Sequence, residues 1–340
     1  MRISAICAAL LFAAACSGGP TPSRGTSVPV AVTSASAPET AQELTPESAA
    51  EAFRTWTVND DLARASADGL LAQAWSDDSQ LAVDAAEFRA AAAAGTAPKR
   101  HTFGKPTLWV PRVTGFPQWF VASVERDGKR VLLAFIRKNA ESRFRLSLAV
   151  TPGKGVKLPK VPLDDDGYAA RVAADDQQGL LTSPGAVASL QAAVADEGPR
   201  SFSARVLKEG PYTTGLFTAN QKAAQKAAKN GFERTSTFTV PVLPVFALRT
   251  ADGSALVLYP LTCDTATARD DAADTAPVPA PKEFAHLLPG GDTELLDAVT
   301  LHEIGSLQFA AVVPVHKGGD ERPKAVVIAR GGAVTRINSS

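Results

Sequence analysis

Two short stretches limit the fold of this 340-residue chain more than anything else in it. In each, an Asp-Gly pair sits between apolar runs. Residues 119–125 and 130–138 flank Arg126-Asp127-Gly128-Lys129, and residues 245–249 and 255–259 flank Asp252-Gly253. Asp-Gly accepts the left-handed backbone of a tight turn, so it joins neighbouring antiparallel strands. Both halves of the chain must therefore build antiparallel sheet. Val131-Leu132-Leu133-Ala134-Phe135-Ile136 is apolar at every position, as a central strand covered on both faces would be. Residues 142–148 alternate instead, predicting Phe144, Leu146 and Leu148 inward and the arginines outward.

Helical patterns precede the strands in each half. Thr45-Pro46 opens a helix, with Thr as cap, Pro in the first turn and Glu47 beside it. Ala49, Phe53 and Trp56 recur at helical spacing, and Leu62 continues that face beyond a break expected near Asn59. Further helices are predicted over 70–75 and 81–94, stopped by Gly95-Thr96-Ala97-Pro98, and a first strand over 107–112. In the second half Ser183-Pro184 opens a helix to about residue 195, and another spans 218–229. Strands are predicted over 235–240, 297–304, 307–315 and 324–329, besides the second hairpin. Helices followed by antiparallel strands is an α+β arrangement. Its recurrence predicts two tandem domains, 44–165 and 166–340, each with N-terminal helices packed on a curved antiparallel sheet in a cone-like shape.

The first residues read as an address. Met1-Arg2 is a minimal positive start, and residues 3–12 are apolar except Ser4. That run is too short to cross a bilayer, which takes about 20 residues, but suits a signal peptide spanning 1–15. Ala13-Ala14-Ala15-Cys16 resembles a lipobox, with cleavage after Ala15 and a thioether from Cys16 to diacylglycerol. Ala13 replaces the usual Leu, and Leu11 stands two residues earlier. The other reading is an ordinary secretory signal cut near Ala15, leaving a free N-terminal Cys. Two palmitate-type chains anchor stably, whereas one does so only marginally. Residues 16–43 are rich in Ser, Gly, Pro, Thr and Ala, and form a flexible tether with a typical span of roughly 30 Å. The expected location is the outer face of the cell membrane, with the membrane as partner through the anchor.

Of three cysteines, Cys7 lies in the leader and Cys16 is the lipid site, so Cys263 has no partner and the core alone must hold the fold. The formal net charge of zero favours no nucleic acid partner.

Several strings extend this reading: Leu44-Thr45-Pro46-Glu47, Trp119-Phe120-Val121-Ala122, Val161-Pro162-Leu163-Asp164-Asp165-Asp166-Gly167-Tyr168, Gly210-Pro211-Tyr212-Thr213-Thr214-Gly215-Leu216 and Phe246-Ala247-Leu248-Arg249-Thr250-Ala251-Asp252-Gly253. They resemble a family of uncharacterised lipoproteins from high-GC Gram-positive bacteria, over most of the chain after the tether. That resemblance implies no activity. The helices-then-sheet plan looks like the cone of nuclear transport factor 2 and the polyketide cyclases, a likeness of architecture that carries no function.

Cones of that kind place an Asp or His in an interior pocket, which makes Asp84 and His101 the candidates to weigh. Asp84 is expected on a solvated helix face, and His101 in a polar turn after Lys99-Arg100. His101, His286, His302 and His316 show no metal-ligand spacing, and His302-Glu303 lacks a second His four residues on. Asp164-Asp165-Asp166-Gly167 has contiguous acids, where a calcium loop alternates them, and is expected as a solvated turn between domains. Cys263 is expected after a strand, its thiol dulled by Asp264. No nucleophile elbow or phosphate loop occurs; Gly153-Lys154-Gly155 lacks the spacing. Phe103, Trp109, Phe116, Trp119 and Phe120 belong to the core and a sheet edge, or else to an aromatic face for a glycan or protein. No catalytic constellation, metal or cofactor is expected. The chain reads as a non-enzymatic module binding an unknown protein or small molecule. The alternatives are a pocket enzyme of isomerase, cyclase or hydrolase type, or a structural envelope spacer.

Overall fold

The computed structural model describes residues 43–177, 179–270, 278, 280–288, 300–316, 318 and 323–339. Ala15, Cys16, the leader and the tether up to residue 42 lie outside the described residues, as do 297–299 of an expected strand.

Helix α1 (Pro46–Ser66) starts on a reciprocal cap. The Ser48 N–H donates to Thr45 Oγ1 at 3.2 Å, and the Thr45 N–H donates to Ser48 Oγ at 3.0 Å. No break occurs at Asn59, because its amide donates to the Thr55 carbonyl one turn back, at 2.8 Å, and stays within the helix. Helices α2 (Gly69–Ala74) and α3 (Asp78–Ala93) follow, capped by Asp68 and Asp77. Strands β1 (Thr107–Trp109), β2 (Gln118–Arg126), β3 (Lys129–Arg137) and β4 (Arg145–Pro152) complete the first half. The β2–β3 turn places Asp127 at φ 52° and Gly128 at φ 75°, the left-handed pair that the sequence required.

The second half holds α4 (Ala186–Glu197), α5 (Thr214–Ala228), β5 (Phe232–Thr239) and β6 (Phe246–Arg249), then three long strands, β7 (Ala255–Arg269), β8 (Thr300–Val313) and β9 (Val326–Ser339). The two strands expected over 297–304 and 307–315 are one, β8. Cys263 lies within β7 rather than after a strand. Pro260 is tolerated mid-strand because β6 pairs with β7 only up to Leu258 and β5 only from Thr262.

All the ladders are antiparallel, in the order β1-β2-β3-β4-β9-β8-β7-β5, with β6 beside β7, and the sheet does not close into a barrel. Its side chains sort by alternation into layers. From β2 and β3, Phe120, Ala122, Leu133 and Phe135 pack under Phe53 and Trp56 of α1. Their neighbours Trp119, Val121, Leu132 and Ala134 face the other way, onto Phe246, Leu256, Leu258 and Ala310 of β6–β8. The two halves of the sheet thus lie face to face, with the Trp119 and Phe246 rings 5.3 Å apart. From β7 and β8, Val257, Tyr259, Phe309 and Ala311 pack with Val187, Ala188 and Ala192 of α4. This double covering is why residues 131–136 of β3 and 255–259 of β7 are apolar at every position.

The expectation of two separate domains, 44–165 and 166–340, is not confirmed: Thr40–Ser340 form one compact unit, and β4 pairs with β9 across the expected boundary. That pairing is brief, Thr151 with Arg330 and Pro152 with Ala329. Elsewhere the β4 edge finds other partners. The Leu146 N–H donates to the Trp75 carbonyl at 3.0 Å, and the Leu146 carbonyl accepts from the Asp77 N–H at 2.8 Å. The Ala149 N–H donates to the Gln308 side chain at 2.7 Å. The start of α3 is wedged into the seam between β4 and β8–β9.

Candidate functional site

A cleft of about 280 Å³ opens between α1 and the β3–β4 connection. One wall is a single face of α1: Ser48, Glu51, Ala52 and Thr55 stand three, four and seven residues apart, a spacing that aligns side chains on a helix. Trp75, Arg137, Arg143 and Phe144 supply the rest, with Glu43 beside them. Trp75 is fixed by the hydrogen bond from Leu146, and Phe144 is buried edge-on against Phe120, 5.3 Å between ring centres.

The two arginines differ. Arg137 is half-buried, its guanidinium 5.3 Å from the Phe116 ring and 5.1 Å from the Phe144 ring. One terminal nitrogen donates to the Gln118 side-chain oxygen, and the buried Nε–H has no acceptor. Burial pulls its pKa below the usual arginine value. Arg143 is exposed and lies over the Trp75 ring at 4.6 Å, a cation–π contact. Among the described residues neither arginine is in an ion pair. Glu43 is turned partly to Arg112, at 3.9 Å, and Glu51 is exposed.

The residues singled out in the sequence lie elsewhere. Asp84 is 8% exposed, against the expected solvated face, because α3 turns it into the seam. Its Oδ1 accepts from the Gln80 amide at 2.8 Å, and its Oδ2 meets the Ser76 hydroxyl. Gln308 bonds Gln80 and Ser79, each at 3.0 Å, so one polar chain runs from α3 to β8. Burial pushes the Asp84 pKa up to about 6, opposed by the bonds from Ser76 and Gln80 and by the charge of Arg64. His101 is half-buried at the foot of the β2–β3 hairpin, not loose in a polar turn, and its Nδ1 lies 2.8 Å from Asp127 Oδ2. Desolvation lowers its pKa, while hydrogen bonds from Lys99, the Thr102 backbone and His101 hold Asp127 well below the carboxylate range.

His302 reaches Asp264 across β7–β8, Nδ1 to Oδ1 2.9 Å. His286 is half-buried in a 3-10 turn, Lys282–Leu287, and His316 is exposed. Burial comes first in raising the Cys263 thiol pKa, before the charges of Asp196 and Asp264. The acidic string is a turn: Asp164 Oδ1 accepts from the N–H groups of Asp166 and Tyr168, at 3.1 and 2.8 Å. Arg112 clasps it, at 3.2 Å from Asp164, with its guanidinium 3.9 Å above the Tyr168 ring. No group of three or more potential metal ligands is found among the described residues. Trp109, Trp119 and Phe120 are core, and Phe103 and Phe116 are half-buried, so these rings make no exposed face.

Sequence reasoning missed the cleft. A signal was present, since Arg137, Lys138, Arg143 and Arg145 crowd one short strand connection. Nothing near residue 75 in the chain announces that Trp75 joins them, because that meeting is made by the α2–α3 link lying on the β4 edge.

A family described as "Domain of unknown function (DUF8094)" matches residues 40–339. An uncharacterized lipoprotein from Streptomyces coelicolor, a high-GC Gram-positive organism, is 26% identical over 159 residues, 45% of this chain and 44% of that protein. The chain thus spans under half of the curated relative it matches. No solved structure matches it, which leaves the cone likeness unconfirmed. No helix among the described residues is long and apolar enough to cross a membrane.

Proposed function

Because the chain belongs to the DUF8094 family, which carries no assigned activity, we propose from its leader and its cleft that it is a lipid-anchored, extracytoplasmic binding protein without enzymatic activity. Cleavage follows Ala15, Cys16 carries the two acyl chains, residues 16–43 are the leash, and the body stands outside the outer face of the cell membrane. The relative's name and the Ala-Ala-Ala-Cys leader support the anchor. The observation that carries binding is the cleft: two aromatic faces and two guanidiniums that pair with no carboxylate among the described residues. Its aromatic faces and guanidiniums suit the holding of a small molecule, which favours a binder over a pocket enzyme. The reading calls for no cofactor and no nucleic acid.

Detergent phase partitioning tests the anchor. The wild type enters the detergent phase and Cys16→Ala stays aqueous; equal partitioning contradicts the lipid. A thermal-shift screen of small molecules tests the cleft, against the wild type and against Thr55→Trp, which fills the cleft from α1. Compounds that stabilise only the wild type support binding there, and identical responses contradict it.

A further inference from the structure

We propose that the cleft takes a small monoanion, a carboxylate on a flat apolar body, with the carboxylate at Arg137 and Arg143 and the flat body against Trp75 and Phe144. This rests on the binding reading above.

Arg137 carries the argument. A guanidinium has five N–H donors and cannot shed its charge at neutral pH. Here it bonds a neutral amide, touches two aromatic rings, lines the cleft, and pairs with no carboxylate among the described residues. A half-buried charge without a counter-ion is costly, and a planar carboxylate is the group that fits a guanidinium through two parallel bonds. Arg143 adds a second cation at the mouth, stacked on Trp75.

The size and the remaining charges narrow the class. At about 280 Å³ the cleft sits below the range of drug-sized sites. It holds on the order of ten non-hydrogen atoms, if each takes about the 30 Å³ that a water molecule occupies. The side chains of Glu43 and Glu51 stand on the cleft lining too. They disfavour a second negative charge on the ligand, which sets a monocarboxylate above a phosphate monoester.

The test uses the full chain in detergent micelles, titrated with benzoate, benzyl alcohol and phenyl phosphate, followed by tryptophan fluorescence and ligand-observed NMR. Benzoate is expected to bind at least tenfold more tightly than benzyl alcohol and more tightly than phenyl phosphate. Arg143→Gln, at an exposed position, is expected to weaken benzoate at least fivefold, and by more than it weakens benzyl alcohol; an equal loss for both overturns the assignment of the carboxylate to this arginine. Equal binding of benzoate and benzyl alcohol overturns the charge preference while leaving the cleft a binding site. Tighter binding of phenyl phosphate overturns the single-charge preference. If none of the three perturbs Trp75 or shows a bound NMR signal, the proposal and the binding reading beneath it both fall.

Discussion

Asp84 shows how one buried group couples stability to pH. Ser76 has a single hydroxyl proton and two partners, the Ala72 carbonyl at 2.9 Å and Asp84 Oδ2. Burial outweighs the bonds that Ser76 and Gln80 donate to the Asp84 carboxylate, although those bonds favour its charged form. Its folded pKa of about 6 lies above the ordinary carboxylate value of roughly 3.9. A raised acid binds its proton more tightly folded than unfolded. The contribution of Asp84 to stability is therefore highest below about pH 4, falls as pH rises towards 6, and stays lower above it. Two pKa units correspond to about 3 kcal/mol. Asp84→Asn keeps the acceptor for Gln80 and supplies a donor for Ser76. It should stabilise the protein at pH 7.5 by up to about 3 kcal/mol, with no gain at pH 4. Urea melts of both proteins at the two pH values check this, and an equal difference at both would refute the assignment.

At the scale of elements, what the sequence shows depends on what a residue answers to. The cap at Thr45, the Asp-Gly turn at 127–128 and the all-apolar β3 string are local matters of backbone and period, and all three are where the sequence puts them. The α1 break and the separation of the two β8 segments fail because local punctuation was overridden. Asn59 bonds back into its own helix, and Gly305 and Ser306 are carried by pairing with Cys263 and Thr262 on β7. Asp84 reads as solvated because its helix is nearly half alanine, with little apolar asymmetry to say which side faces in. Gly331 is the sharpest constraint on the seam, since a Cβ there would overlap the Ala149 carbonyl oxygen. Gly331→Ala must push β9 away from β4, and should cost roughly 1–3 kcal/mol, as overpacking of a buried site does. Thermal melting checks it, and a shift under about 2 °C would mean the seam yields easily.

For the whole molecule, the two halves repeat a helices-then-strands order, but their strands share one ladder and one interlayer core. Trp119 of the first half packs on Phe246 of the second. Residues 44–340 should therefore unfold in one cooperative transition, and 44–165 or 166–340 expressed alone should lack dispersed NMR spectra. Two separate melting transitions, or a folded half, would restore the tandem-domain reading. The tandem expectation was reasonable on local grounds, since hairpins advertise their own turns; which strand neighbours which across 180 residues leaves no mark at short range. The cleft was illegible for the same reason, since α1, Trp75 and Phe144 meet only once the seam has formed.

The side chain of Gln308 standing in for a strand at Ala149 has a consequence for assembly. Among the described residues, the strand ladder joining the halves runs between β4 and β9, far apart in the chain. A chain threaded outward from its amino end would leave that flank of β4 waiting until β9 emerges. Loss of β9 would strand an exposed edge on both sides of the gap, which makes that strand a latch between the two halves.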